Sequence, residues 1–243
     1  KKTISIINVI ESSIARESDF ILPIKAGPEI GVASTKAFTA QLAVLACLTI
    51  YFSNRRGLLS KNENSELIDA LVSTPRIMSK ILSKTEDYKG FATKLLKSKN
   101  VLFLGRGNLY PLALEAALKL KEISYIHAEG YPSGELKHGP IALVDENMPV
   151  ICFAPYNDLF EKTISNVEEV LARSGNVLLI TDEKGYSYLS SHEFPIIKLP
   201  RFSNFIEPII YAIPSQLIAY YTALFKGTDI DQPRNLAKSV TVE

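Results

Sequence analysis

Four short runs in this chain, residues 101–104, 149–154, 176–181 and 194–199, are nearly all apolar. Helix-patterned segments at 111–127 and 159–174 separate the first three. A strand that is apolar on both sides must be covered on both faces. Strands that alternate with helices meet that demand as a parallel sheet between helical layers. The predicted fold class is therefore α/β with a parallel sheet. Two further Ile-rich runs, 4–9 and 20–24, read as buried strands ahead of a long apolar helix over 35–53 with Ser34 as its N-cap. Residues 54–100 change character. Leu67, Ile68, Leu71 and Val72, and then Ile77, Ile81 and Leu82, recur at helical spacing among Lys, Ser, Asn and Glu. This predicts two amphipathic helices with a break near Pro75. A last apolar helix over 206–225 is expected to be interrupted at Pro214, and an irregular tail follows. The chain thus divides into 1–56, a helical linker 57–98, a fuller α/β unit 99–226, and a tail 227–243.

Charge narrows the function. Lys plus Arg number 27 and Asp plus Glu 26, a net charge of +1, which gives no basic footprint for nucleic acid. Cys47 and Cys152 both sit in apolar runs and read as core residues in a reducing compartment. With His127, His138 and His192 they make no metal-ligand spacing, so neither metal nor cofactor is expected. The apolar stretch 37–52 carries Thr39, Gln41 and Thr49 and falls short of the ~20 residues a membrane span needs. No signal peptide is visible, and the chain reads as cytoplasmic.

Three segments could carry chemistry. The turn Gly105-Arg106-Gly107 joins a strand to a helix, as anion-binding turns do. The third glycine of a dinucleotide fingerprint is replaced by Tyr110, so a plain tight turn is expected. On the helix over 111–127, Glu115, Lys119 and Glu122 share one face, and Leu112, Ala113, Ala116, Ala117, Leu120 and Ile123 the other. A carboxylate beside an ammonium can work as an acid/base pair. Spacing alone favours a solvated ion-pair stripe worth ~0.2–0.5 kcal/mol per pair. The segment 129–140, rich in Gly, Pro and Glu and carrying His138, reads as a presenting loop. Lys238 in the tail is expected to be solvated unless a pocket holds it, where it could form a Schiff base.

Four separated motifs, in order, carry a resemblance. They are Glu29-Ile-Gly-Val-Ala-Ser-Thr-Lys-Ala-Phe38, Leu118-Lys-Leu-Lys-Glu-Ile-Ser-Tyr-Ile-His-Ala-Glu129, Gly134-Glu-Leu-Lys-His-Gly-Pro140 and Asp231-Gln-Pro-Arg-Asn-Leu-Ala-Lys-Ser-Val-Thr-Val-Glu243. Together they resemble the isomerase part of the glucosamine-6-phosphate synthases, also called glutamine–fructose-6-phosphate aminotransferases. The resemblance implies the sugar isomerase (SIS, flavodoxin-like) fold and production of glucosamine 6-phosphate from fructose 6-phosphate with glutamine-derived ammonia. It implies that Lys238 is the Schiff-base lysine, Glu122 the base between C1 and C2, and Lys119 its helper. His138 becomes the ring-opening residue, donated to the neighbouring subunit of a homodimer. Val32, Ser34 and the backbone at Ala237 become sugar contacts.

The family's phosphate-binding Ser-Gln-Ser-Gly-Glu-Thr loop and its glutaminase domain are not found between Lys1 and Glu243. The expectation is one complete SIS domain preceded by the truncated remainder of another, inactive in isolation. The alternatives left open are a degenerate fragment and a regulatory module that binds phosphosugars without catalysis.

Overall fold

The computed structural model describes residues 1–189 and 191–238. The chain begins with β1 (Ile4–Ile7), a single helical turn α1 (Ser13–Arg16) and β2 (Phe20–Pro23). The two strands pair in parallel, Ile4 opposite Phe20 and Ile7 opposite Pro23. Three helices follow: α2 (Lys36–Arg55), α3 (Lys61–Leu82) and α4 (Thr85–Leu95). The larger unit then runs β3 (Asn100–Gly105), α5 (Tyr110–Ser124), β4 (His127–Pro132), two 3-10 turns at Ser133–His138 and Pro140–Leu143, β5 (Pro149–Phe153), α6 (Phe160–Leu171), β6 (Asn176–Asp182), α7 (Glu183–Tyr188), β7 (Ile196–Leu199) and α8 (Glu207–Lys226). Its sheet is wholly parallel, in the order β4-β3-β5-β6-β7.

The apolar runs form this sheet because alternate residues feed opposite layers. Val101, Phe103, Ile151, Phe153, Leu178 and Ile180 pack in the layer of α5 and α8. Their neighbours Leu102, Leu104, Val150, Cys152, Val177 and Leu179 pack with Phe160, Ile164, Val167 and Val170 of α6. Tyr211 of α8, fully buried, stands edge-on to Phe153.

The structure corrects several expectations. Pro75 and Pro214 lie inside continuous helices. Each costs about 3 kcal/mol in an isolated helix. Here tertiary burial offsets it: Thr74, Ile77 and Ile81 are buried around the first, and Ile210, Tyr211, Ile213 and Ile218 around the second. The break expected near Pro75 falls instead at Ser83–Lys84, between α3 and α4. The helix expected to reach His127 stops at Ser124, because Tyr125 turns left-handed (φ 60°). The following stretch His127–Pro132, read as helix end and loop, is the edge strand β4. α7 is a further element that the apolar pattern does not announce.

α2 starts at Lys36, and no side chain of its cap residue, Thr35, closes the first turn, so Ser34 is not the N-cap. At twenty residues α2 is long and apolar enough to cross a membrane by length and composition, as is α8. α8 is mostly buried, whereas α2 leaves Leu45, Tyr51 and Phe52 exposed. Cys152 is a core residue as expected, but Cys47 is exposed on α2.

Candidate active site

The face of α5 that carries Glu115, Lys119 and Glu122 is not a solvated stripe. The Lys119 side chain is 5% exposed, and its Nζ lies 2.6 Å from Glu122 Oε2 and 3.6 Å from Glu115 Oε1. Burial pushes the Glu115 carboxyl above the usual range. The Lys119 ammonium opposes that shift, and the Glu122 charge adds to it. A helical period shows that three residues share a face, but not what covers it. Here α8 packs along α5, and two further segments, the loop before α2 and the stretch after α8, border the same region.

The first cover is the loop between β2 and α2. The Glu29 carboxylate turns back over the start of α2, where Oε1 accepts from the backbone N–H of Thr35 (2.9 Å) and Ala37 (3.3 Å) and from Ser34 Oγ (3.4 Å). Glu29 therefore satisfies the orphan amides that Ser34 was expected to cap.

The second cover is the segment after α8. Gly227, left-handed at φ 69°, ends that helix. Thr228 Oγ1 then donates to the Ile123 carbonyl at 2.6 Å, and Asp229 Oδ1 accepts from the amides of Asp231 and Gln232 at 3.0 and 2.8 Å. The Arg234 amide donates to Tyr125 Oη at 2.8 Å, and its guanidinium stacks 4.2 Å from that ring. The tail is irregular, as expected, but it is pinned to α5 rather than free.

The two covers also meet each other. Val32 N–H donates to the Asp231 carbonyl at 2.8 Å. Lys238 Nζ donates to the carbonyls of Gly31 (2.6 Å) and Val32 (3.3 Å) and to Glu29 Oε2 (3.1 Å). Between them and α5 lies a cleft of about 340 Å³ whose walls include Glu29, Gly31, Lys119, Tyr220 and Asp231. Gln216 of α8 also lines it, with Nε2 3.3 Å from the Thr35 carbonyl. Glu29 and Gly31, which hold Lys238, thus line the same cleft as Lys119, which holds Glu122 and Glu115.

A model of the SIS domain matches residues 1–51 and 94–226. The chain belongs to the SIS domain family. This SIS chain is 58% identical over 240 residues to the glutamine–fructose-6-phosphate aminotransferase (isomerizing) of Agrobacterium fabrum, covering 98% of the chain and 40% of that protein. It is 57% identical over 242 residues to the protein of the same name from Bartonella quintana, covering 100% of the chain and 40% of that protein. The chain spans about two fifths of the length of these curated relatives. Its structure is similar to the C-terminal domain of glucosamine-fructose-6-phosphate aminotransferase from Francisella tularensis, with a TM-score of 0.91, 43% identity, and coverage of 95% of this chain and 64% of that one. Glucosamine-6-phosphate deaminase from Thermotoga maritima, 23% identical with a TM-score of 0.71 over 99% of this chain and 67% of its own, shares the fold.

Of the residues singled out from the SIS resemblance, Lys119 lines the cleft and pairs with Glu122, Lys238 donates to Glu29 and Gly31 of the cleft wall and to the Val32 carbonyl, Ser34 donates to Glu29, and Ala237 precedes Lys238 in the exposed tail. His138 does not join them. It ends the 3-10 turn Ser133–His138 with its side chain 73% exposed and Nδ1 2.7 Å from Glu135 Oε2. The Gly105–Gly107 turn is the tight connection expected. A Cβ on Gly105 would lie 2.0 Å from the Leu109 carbonyl oxygen, and Arg106 is spent on Asn166 Oδ1 at 3.1 Å. Among the described residues no group of three or more His, Cys, Asp or Glu is placed to hold a metal. Sequence reasoning gave no role to Glu29, Gln216, Tyr220 or Asp231. Glu29 and Asp231 each open a quoted motif, which was the one available signal.

Proposed function

We propose that this chain is the isomerase part of an enzyme that makes glucosamine 6-phosphate from fructose 6-phosphate with ammonia released from glutamine. The single observation that carries this reading is that Lys238 reaches across 209 residues to Glu29, which lines the same cleft as Lys119, the partner of Glu122. A module that only binds sugar phosphates needs no amine there.

In this reading the Lys238 amine attacks the C2 carbonyl of the open-chain ketose, and loss of water leaves an iminium. The electron-poor nitrogen acidifies the C1 hydrogen. Ammonia adds to C2 and expels the Lys238 amine, leaving an iminium of its own at C2. The Glu122 carboxylate then takes the C1 proton and returns it at C2 as the C1 hydroxyl loses its proton and becomes the aldehyde, while Lys119, 2.6 Å away, steadies the carboxylate charge. Val32, Ser34 and Ala237 orient the sugar. His138 opens the ring from a neighbouring subunit, which makes the working enzyme a homodimer, and its exposure away from its own cleft fits that assignment. The reading includes a cytoplasmic location, which the biosynthetic activity named for the relatives supports. The division at 56, 98 and 226 follows the same logic, with α3 and α4 linking the two sheets.

Borohydride added to the full-length protein with fructose 6-phosphate is expected to fix the sugar on Lys238, read by peptide mass. Lys238→Ala is expected to lose the adduct. Equal trapping in that variant, or an adduct on another lysine, removes the assignment.

A further inference from the structure

Glu29 touches the amine of the proposed reaction, yet that reaction gives it no task. Its side chain is 11% exposed, against 46% for Lys238, so it is the fixed partner of the pair. Two backbone amides of the α2 N-terminus grip Oε1, which leaves Oε2 directed at Lys238 Nζ. Burial works against the charged form. The Thr35 amide, the Lys238 hydrogen bond and the Ala37 amide outweigh it and hold the carboxyl below its usual range. Glu29 is therefore an ionised group whose position does not depend on the lysine.

The cage around Nζ has three acceptors, and an ammonium has three hydrogens to give. The three do not remain equivalent through Schiff-base chemistry. The ammonium first yields a proton to solvent, and its lone pair bonds to the ketose C2 while the C=O π electrons move to oxygen. That oxygen is then protonated and leaves as water. The resulting iminium nitrogen has one hydrogen and still carries the positive charge. The Gly31 and Val32 carbonyls lose most of their donors at that point, but a carboxylate 3 Å away keeps its charge partner.

We propose that Glu29 is the counter-ion of Lys238, pinning the amine at the cleft wall before reaction and balancing the iminium charge afterwards. This rests on Lys238 being the Schiff-base residue. Glu29 pays no reorganisation on reaction, because the α2 amides have already set it. It differs from Glu122, which faces Lys119 and moves a proton on carbon.

The test separates a counter-ion from a simple helix cap. Glu29→Gln keeps a carbonyl oxygen for the Thr35 and Ala37 amides and deletes the charge, whereas Glu29→Asp keeps the charge on a shorter arm. The first readout needs no sugar. Acetic anhydride labelling of Lys238 at pH 8 is compared by peptide mass with Lys226, an exposed lysine at the end of α8. Labelling of Lys238 is expected to rise several-fold in Glu29→Gln and to stay near wild type in Glu29→Asp. The second readout is the pH profile of borohydride trapping with fructose 6-phosphate. An iminium without its counter-ion loses its proton at lower pH, so Glu29→Gln should trap about tenfold less at pH 8.5 while approaching wild type near pH 6. Glu29→Asp should keep the wild-type profile.

Gln and Asp variants that behave alike in both readouts overturn the counter-ion, as does a Gln variant indistinguishable from wild type. Should Glu29→Gln fail to fold, a wild-type-like labelling ratio and profile in Glu29→Asp supports the proposal, and a displaced profile in that charge-retaining variant overturns it. If Lys238→Ala still traps sugar while Glu29→Gln still unmasks Lys238, the Schiff-base reading falls and the pinning stands.

Discussion

Lys119→Met is expected to destabilise the protein by about 3 kcal/mol at pH 8, the order found when one partner of a buried ion set is removed. Met approximates the length and flexibility of the lysine stem, so little packing is lost. What remains is two carboxylates on one helical face, 17% and 19% exposed, with the cation between them gone. Glu115 is already pushed up by burial in the presence of Lys119. Without the lysine, the Glu115 carboxyl is pushed further above its range in the unfolded chain. The folded variant then binds more protons than the unfolded variant through the acidic range, so its stability recovers as pH falls. Urea unfolding at pH 8 and pH 5 checks both parts. A variant as stable as wild type at pH 8, or one whose deficit does not shrink on acidification, contradicts the buried ion set.

Glu207→Gln is expected to do the opposite and stabilise the protein at neutral and alkaline pH. Glu207, in the first turn of α8, is 3% exposed. Burial pushes its carboxyl up to about 7, against the pull of the Asn157 amide and with help from the Asp182 charge. Asn157 Nδ2 lies 3.3 and 3.4 Å from the two carboxyl oxygens. Below pH 4.5 the group is neutral in both states and burial costs nothing extra. As pH rises from 4.5 towards 7 the unfolded chain ionises while the folded one holds its proton, and wild-type stability drains away. Above 7 the loss is complete. The gap between 4.5 and about 7 corresponds to roughly 3 kcal/mol. Glutamine has no charge to bury, so Glu207→Gln should gain roughly 2–3 kcal/mol over wild type at pH 8 and nothing at pH 4. A difference between the two proteins that does not change with pH defeats this account.

The two cases show what the sequence made legible. β3, β5 and β6 could be read directly, because strands buried on both faces leave almost no polar residue in the run, and the other edge, β7, still showed an apolar run broken only by the exposed Lys198. β4 could not. As an edge strand it carries His127 and Glu129, and its Gly130 answers to the close approach of α5, since a Cβ there would lie 2.6 Å from the Leu114 nitrogen. The prolines misled for a related reason, because propensity is local and the burial that overrides it is not. In the site, the period of α5 grouped Glu115, Lys119 and Glu122 correctly, yet the preference for a solvated stripe failed because the covering loop and tail are remote in sequence. The motifs that carry the resemblance supplied the roles proposed for Lys238 and Glu122. They were silent on Glu29, whose amide partners lie six and eight residues away and whose charge partner lies 209 residues away.

That last separation has a consequence for how the molecule fails. A contact closed over 209 residues costs more chain entropy than any turn or cap, and it forms only when the loop before α2 and the segment after α8 are both in place. Neither the parallel sheet nor the helices around it need that contact in order to persist. The lysine cage is therefore the first assembly to be surrendered as denaturant rises, while most of the hydrophobic layers still hold. Exposure of Lys238 to amine labelling should precede loss of helical signal, so that it reports undocking of the two chain segments and not collapse of the fold.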